Sequence, residues 1–107
     1  MEQDVLNAAE LLAPDEEDAL ELADLFKLFA DSTRIRIFIQ LLKGEICVYH
    51  LAESLGISQS AVSHQLRQLR QARLVRCRRD GQLSYYSLMD EHISLILNAG
   101  LEHIREE

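Results

Sequence analysis

Apolar residues recur every three or four positions through most of this chain, which is the spacing of one face of an α-helix. Ala13-Pro14 interrupts the first such stretch, and Gly44 ends the third. That third stretch carries apolar side chains around most of its circumference, which predicts a buried central helix. Helices are predicted at residues 5–12, 16–30, 33–43, 48–55, 59–71 and 90–105.

The segment from Leu51 to Ser58 has the composition of a helix-turn-helix. Gly56 is suited to a left-handed turn, and Ser58 is suited to cap the following helix. In that helix Val62, Leu66 and Leu69 form the stripe that faces inward. The side chains predicted to face outward, towards base edges and phosphates, are Gln59, Ser60, Ser63, His64, Arg67 and Arg70.

Strands are predicted at residues 74–79 and 83–88, on either side of Asp80-Gly81. This dipeptide favours a two-residue hairpin turn. A basic hairpin after a recognition helix is a wing, so the predicted fold is mainly α-helical with a small β-hairpin, a winged helix-turn-helix. The arginines that this wing is expected to bring to phosphates or to the minor groove are Arg76, Arg78 and Arg79.

Length and composition allow a single domain over residues 1–107, with 48% apolar residues. No apolar run approaches the roughly 20 residues that cross a bilayer. The acidic opening lacks the positive start of a secretion signal, so we expect a cytoplasmic protein with no membrane partner. A core this small buries only about two-thirds of the unfolded chain's surface, which favours support from a second subunit.

The net charge of -7 argues at first against a nucleic-acid partner, because phosphate binding depends on Lys and Arg displacing counterions. The charges are unevenly distributed, however. Residues 1–26 hold nine acidic residues and no basic one, whereas six of the eleven basic residues lie within residues 67–79. Such a local basic patch is typical of a surface that attracts DNA.

Several short motifs closely resemble the ArsR/SmtB family of metal-responsive repressors. They are Asp31-Ser32-Thr33-Arg34, Glu45-Ile46-Cys47-Val48, Leu51-Ala52, residues 58–66 and Asp80-Gly81-Gln82. The resemblance implies a homodimer whose recognition helix carries Ser60, Ser63 and His64 into the major groove of double-stranded operator DNA. We expect the helices within residues 1–30 and the helix at 90–105 to form the dimer interface.

The last predicted helix carries four potential metal ligands, Asp90, His92, His103 and Glu106. Its two histidines share one stripe but lie about 16 Å apart at 1.5 Å per residue, so one ion cannot bind both within one helix. A single site therefore demands the first two ligands from one subunit and the last two from an antiparallel partner helix. The stripe consists of His92, Ile96, Ala99, His103 and Glu106. Its 4-3-4-3 spacing is typical of helices packed side by side. The four positions also match the fifth-helix zinc site of the family that the chain resembles.

Two imidazoles and two carboxylates favour Zn(II), or Co(II), as an allosteric effector, whereas soft metals require several thiolates. Soft-metal relatives carry a second cysteine two positions after the first, where this chain has Tyr49 after Cys47. A second metal site on Cys47 with His50, or with an acid near the N-terminus, stays open beside a packing role. We expect the apo dimer to bind an inverted repeat and zinc to release it.

Three alternatives also stay open. A thiol-based repressor of the same fold would sense oxidants or sulfide through Cys47 and Cys77. A metalloenzyme would use the Asp/His/His/Glu set to activate water, although four protein ligands leave no open position in a tetrahedral zinc site. A structural zinc would only hold the dimer together.

Overall fold

The computed structural model describes residues 13–106, and the helix predicted at residues 5–12 lies outside them. The chain divides into two units between Asp31 and Ser32. In the first unit, helix α1 spans Glu16–Phe29. The Asp15 carboxylate accepts a hydrogen bond from the N–H of Asp18 at 2.9 Å, and the Asp18 carboxylate accepts one from the N–H of Asp15 at 3.1 Å. This reciprocal capping explains why the helix begins directly after residue 15.

The second unit contains the remaining helices and strands of the described residues. They are α2 (Ser32–Leu42), β1 (Ile46–Cys47), α3 (Val48–Leu55), α4 (Gln59–Gln71), β2 (Val75–Asp80), β3 (Leu83–Leu88) and α5 (Glu91–Arg105). The predicted helices and strands from residue 16 onward are confirmed, with ends displaced by no more than one residue. Strand β1 was not predicted, because two residues are too few to show an alternating pattern. Within residues 13–106, no helix has the length and apolar character needed to span a membrane.

Strands β1 and β2 both pair antiparallel with β3, so the strand order is β1-β3-β2. The hairpin of β2 and β3 places Cys77 opposite Tyr86 and Arg79 opposite Ser84. Gly81 adopts a φ of 65° in the turn, a left-handed conformation that glycine accepts without steric cost. The predicted hairpin is confirmed, but its turn lies one residue later than predicted: Asp80 pairs with Leu83, so the two turn residues are Gly81 and Gln82. Strand β1 ties the hairpin to the segment that leads into α3.

Buried apolar side chains reach the core of the second unit from the four helices α2 to α5 and from strands β1 and β2. Helix α2 contributes Ile37 and Phe38, which are fully buried, but its apolar residues elsewhere on the circumference are only half-buried, so the predicted all-round burial is confirmed for one face. The predicted inward stripe of α4 is also confirmed, because Val62, Leu66 and Leu69 are fully buried. The opposite face of α4 is thereby directed away from the core.

Truncation of Phe38 tests this placement of the core. Phe38→Ala is expected to lower the free energy of unfolding by about 3–5 kcal/mol, because it loses buried apolar surface and leaves a cavity. Leu83→Ala is the control, since Leu83 is 47% exposed, and it should cost less than about 1 kcal/mol. Urea unfolding followed by circular dichroism at one fixed protein concentration measures both. Equal losses would contradict the assignment of the core.

Candidate nucleic-acid interface and metal ligands

The turn between α3 and α4 is built by Gly56 and Ser58. Gly56 has a φ of 68°, and its N–H donates to the carbonyl groups of Ala52 and Glu53 at the end of α3. The hydroxyl oxygen of Ser58 accepts a hydrogen bond from the N–H of Ala61 at 3.1 Å and caps α4. Both local predictions are confirmed, and α3 and α4 form the helix-turn-helix.

The outward face of α4 is polar. Of the six residues predicted to approach DNA from this helix, Ser63 is half-buried and the other five are exposed. Hydroxyl, amide, imidazole and guanidinium groups provide the donors and acceptors that base edges and phosphates require. The exposed five are Gln59, Ser60, His64, Arg67 and Arg70.

A cleft of about 320 Å³ lies between one flank of α4 and the hairpin. Three guanidinium and three hydroxyl groups line it, and within residues 13–106 no hydrogen bond or ion pair engages those guanidinium groups. Several positive donors around one cleft suit an anion the size of a phosphate. Ser84 and Tyr86 were not predicted, because Ser84 comes opposite Arg79 only with the turn at Gly81-Gln82, one residue beyond the predicted turn. The lining residues are Val48, Ser63, Arg67, Arg70, Arg79, Ser84 and Tyr86.

The three arginines of the hairpin lie on different faces of it. Successive side chains of a strand point to opposite faces, so Arg79 faces the cleft while Arg76 and Arg78 point away from it. The guanidinium of Arg76 donates to the Met89 carbonyl oxygen at 2.8 and 3.0 Å. Arg76 therefore ties β2 to the start of α5, and its predicted contact with DNA stays a prediction.

Arg78 makes a bidentate ion pair with Glu45. Its Nη2 and Nε lie 2.8 and 3.2 Å from the two carboxylate oxygens, and its guanidinium carbon lies 4.7 Å from the centre of the Tyr85 ring. The hydrogen bond to Glu45 raises the pKa of Arg78, and the hydrogen bond from Arg78 lowers the pKa of Glu45. This pair connects the hairpin to the segment before β1, and a DNA contact by Arg78 likewise stays a prediction.

The four predicted metal ligands of α5 lie in two pairs. Asp90 caps the helix by accepting from the N–H of His92 at 2.9 Å, and its Oδ1 lies 3.3 Å from His92 Nδ1. At the other end, His103 Nδ1 lies 3.4 Å from Glu106 Oε2. The two histidine side chains are 83% and 85% exposed. In the described part of the chain, no three His, Cys, Asp or Glu side chains are grouped closely enough to hold a metal ion.

Each pair fits one edge of a tetrahedral zinc site. Two ligands at about 2.0–2.2 Å from such an ion lie about 3.3–3.6 Å apart. The nitrogen and oxygen atoms of the two pairs are 3.3 and 3.4 Å apart, and imidazole and carboxylate are groups that zinc accepts. Each end of α5 thus carries two groups of the kinds that zinc accepts, and their role as metal ligands stays a prediction.

The predicted second metal site contains only two ligands in this unit. Cys47 Sγ lies 3.1 Å from His50 Nδ1, with the thiol buried and the histidine exposed. Cys77 is also a free thiol, on the hairpin face that packs towards α4. Burial and a hydrogen bond with Cys77 raise the pKa of Tyr86. The acids nearest the N-terminus, Glu2, Asp4 and Glu10, lie outside the described residues.

Fold and surface together define a class of protein. A helix-turn-helix followed by a basic hairpin, with cationic groups gathered on the outward side of both, is a winged-helix DNA-binding regulator. The family described as "Bacterial regulatory protein, arsR family" matches residues 31–76.

Individual relatives of this chain are transcriptional regulators as well. The chain is 42% identical, over 84% of its length and 68% of the relative's, to a transcriptional repressor SmtB homolog of Synechocystis sp.. It is 35% identical, over 84% of its length and 75% of the relative's, to a cadmium resistance regulatory protein CadC homolog of Staphylococcus aureus. The crystal structure of the AntR antimony-specific transcriptional repressor matches with a TM-score of 0.78 and 35% identity, covering 84% of this chain and 82% of that one.

The chain therefore belongs to the ArsR/SmtB family of metal-responsive transcriptional repressors. Its relatives are regulators, which confirms that it is not an enzyme and removes the metalloenzyme alternative.

The ion pair of Glu45 and Arg78 is expected to respond to acid. Because the folded-state pKa of Glu45 is lowered from 4.5, the pair contributes stability above that pH and loses it as the pH falls through the folded-state pKa. An NMR titration of the Glu45 carboxyl carbon should give a midpoint below 4.5 in the unmodified protein and one closer to 4.5 in Arg78→Gln. Arg76→Gln, the control, should leave the midpoint unchanged. An unshifted midpoint in the unmodified protein would contradict the pair.

Proposed function

We propose that this repressor binds an inverted-repeat operator as an apo homodimer and is released when Zn(II) binds between its C-terminal helices. The observation that carries the proposal is the pair of imidazole–carboxylate groups at the two ends of α5, with nitrogen–oxygen distances of 3.3 and 3.4 Å. Asp90 and His92 of one subunit, with His103 and Glu106 of an antiparallel partner, would supply the four ligands of each site.

An exposed apolar residue beside the stripe of predicted ligands supports a dimer through α5. Leu95 is 62% exposed and lies on the same side of the helix as His92 and His103, at about 100° of rotation per residue. Leu20 and Phe26 are likewise exposed on α1. Burying such side chains against a second copy is favourable, because apolar surface is removed from water. The ligands and the apolar contact of α5 would then belong to one interface.

The donor atoms favour zinc or cobalt over soft metals. Two nitrogen and two oxygen ligands suit borderline ions, whereas a soft-metal site needs several thiolates. Cys47 has His50 as its neighbour, and Tyr49 stands where a second thiol would be required. The cadmium and antimony in the names of two relatives describe those proteins. For this chain, Cys47 with His50 is at most an accessory site.

The DNA surface in this proposal has two parts. Ser60, Ser63 and His64 on α4 would read base edges in the major groove. The cleft arginines Arg67, Arg70 and Arg79, together with Gln59, would hold the phosphate backbone. Arg76 and Arg78 would have to leave Met89 and Glu45 before they reached DNA, so we expect them to contribute less.

Bound zinc supplies a double positive charge and directed bonds that hold two α5 helices in one relative arrangement. This affects DNA binding only if that arrangement separates the recognition helices by a distance other than the one the operator requires. The coupling is reciprocal, so operator DNA weakens zinc binding by the same factor by which zinc weakens DNA binding.

The first test is the effect of zinc on an operator duplex selected from a random pool by the apo protein. Zinc should lower operator affinity by about 5–150-fold, the usual range of allosteric coupling, and EDTA should restore it. His103→Ala should abolish the response, whereas His50→Ala, which removes an imidazole outside α5, should retain it. Fluorescence anisotropy at fixed salt measures both. An unchanged affinity with zinc would contradict the scheme, and dissociation of the dimer on chelation would make the zinc structural.

The second test separates the arginines of the wing by the salt dependence of DNA binding. Arg79→Gln should reduce the slope of log affinity against log salt by about 0.9 for each bound subunit, because one phosphate contact is lost. Arg78→Gln removes the same charge from the other face of the hairpin and should change the slope much less. Equal changes would contradict the proposed division of the wing.

A further inference from the structure

Helix α2 carries two arginines that each hold one helix of the helix-turn-helix. Arg36 Nη2 donates a single hydrogen bond to the Leu55 carbonyl at the end of α3, at 2.8 Å. Arg34 donates from Nε to Gln65 Oε1 at 2.9 Å and from Nη2 to Gln68 Oε1 at 3.0 Å. Both acceptors of Arg34 belong to the recognition helix α4, and both contacts are partly buried.

These two glutamines lie on one side of α4, because they are three residues apart. At about 100° of rotation per residue, that side is roughly opposite the flank of Ser63 and Arg70, which faces the cleft. Helix α4 is thus held by the core beneath it, by the hairpin on one flank and by Arg34 on the other.

We propose that Arg34 is a positioning residue that fixes the rotation of α4 about its own axis and thereby determines the sequence specificity of DNA binding. The inference rests on the DNA-binding face proposed above. Apolar packing of the α4 stripe is non-directional, whereas two hydrogen bonds from one planar guanidinium are charge-assisted and directional. Because the Arg34 guanidinium bonds to two residues of α4, rotation of α4 about its axis would strain both hydrogen bonds. A single hydrogen bond opposes such a rotation only weakly.

The geometry of a helix gives the size of the effect. A rotation of about 20° moves a group at the helix surface, at a radius of about 5–6 Å, by about 2 Å. Hydrogen bonds to base edges tolerate a donor–acceptor range of only about 0.5 Å, so such a rotation breaks them. Contacts of arginine with phosphate survive the same movement, because the side chain is long and the attraction between charges weakens slowly with distance. A loosened α4 therefore loses specific binding before it loses non-specific binding.

Arg34→Lys tests the proposal because it keeps the positive charge and removes the fork. On an operator duplex selected from a random pool by the unmodified protein, we expect about a 10-fold loss of affinity, the scale of one lost base contact. Affinity for an unrelated duplex of the same length and the salt slope should stay unchanged. Arg36→Lys is the matched control on the same helix: an ammonium group can replace its one hydrogen bond, so both affinities should stay within about twofold.

A second measurement does not involve DNA. The periodic variation of N–H residual dipolar couplings along residues 59–71 reports the rotation of α4 about its axis. Its phase should shift in Arg34→Lys and in the Gln65→Leu/Gln68→Leu double variant, and it should stay unchanged in Arg36→Lys. Adding Arg34→Lys to the double variant should produce no further shift, because the contact has already been removed.

Three results would overturn the proposal. A smaller salt slope in Arg34→Lys would make Arg34 a phosphate contact, and an equal loss on both duplexes would make it a general stability contact. Unchanged couplings along α4 would exclude control of its rotation. If the unmodified protein selects no DNA sequence, the proposed function fails, whereas the couplings still decide the role of Arg34.

Discussion

The complete burial of Val62, Leu66 and Leu69 is the contact on which the remaining arrangement depends. A helix that buries one apolar stripe must turn its other side away from the core, so this single contact exposes the polar face of α4. The same contact brings one flank of α4 against the hairpin, where the cleft forms. The other flank is reached by Arg34 from α2, whose own Phe38 lies in the same core.

Successive side chains of β2 point to opposite faces of the hairpin, so its arginines have different surroundings. Arg79 joins the cationic cleft, whereas Arg76 and Arg78 form the contacts that hold the hairpin to the rest of the unit. One basic strand can therefore combine a surface for an anion with its own anchoring. The chain has a net charge of -7 and still presents a locally positive surface, because nine of its 18 acidic residues lie within residues 1–26.

Helix geometry also limits which of the predicted metal ligands on α5 can lie close together. A continuous α5 keeps its two histidines about three turns apart, so each can pair only with the carboxylate next to it. If the proposed site exists, one chain therefore provides only half of the ligands at each of its two ends. The proposed metal-dependent function therefore requires a second subunit, and the exposed Leu95 on the same side of α5 is consistent with that requirement.

The local structures of this protein follow from neighbouring residues along the chain. Gly56, Ser58 and Asp80-Gly81 act through their own backbone preferences, and apolar spacing is read from neighbours along the chain, so helices, helix-turn-helix and hairpin could be predicted. The four candidate ligands of α5 were predicted from residue type, spacing and the family resemblance, and their role stays a prediction. The contacts of Arg34 with Gln65 and Gln68, and of Arg78 with Glu45, depend instead on how the folded elements pack. Those partners are more than thirty residues apart, and no local preference specifies a contact that exists only once the core has packed.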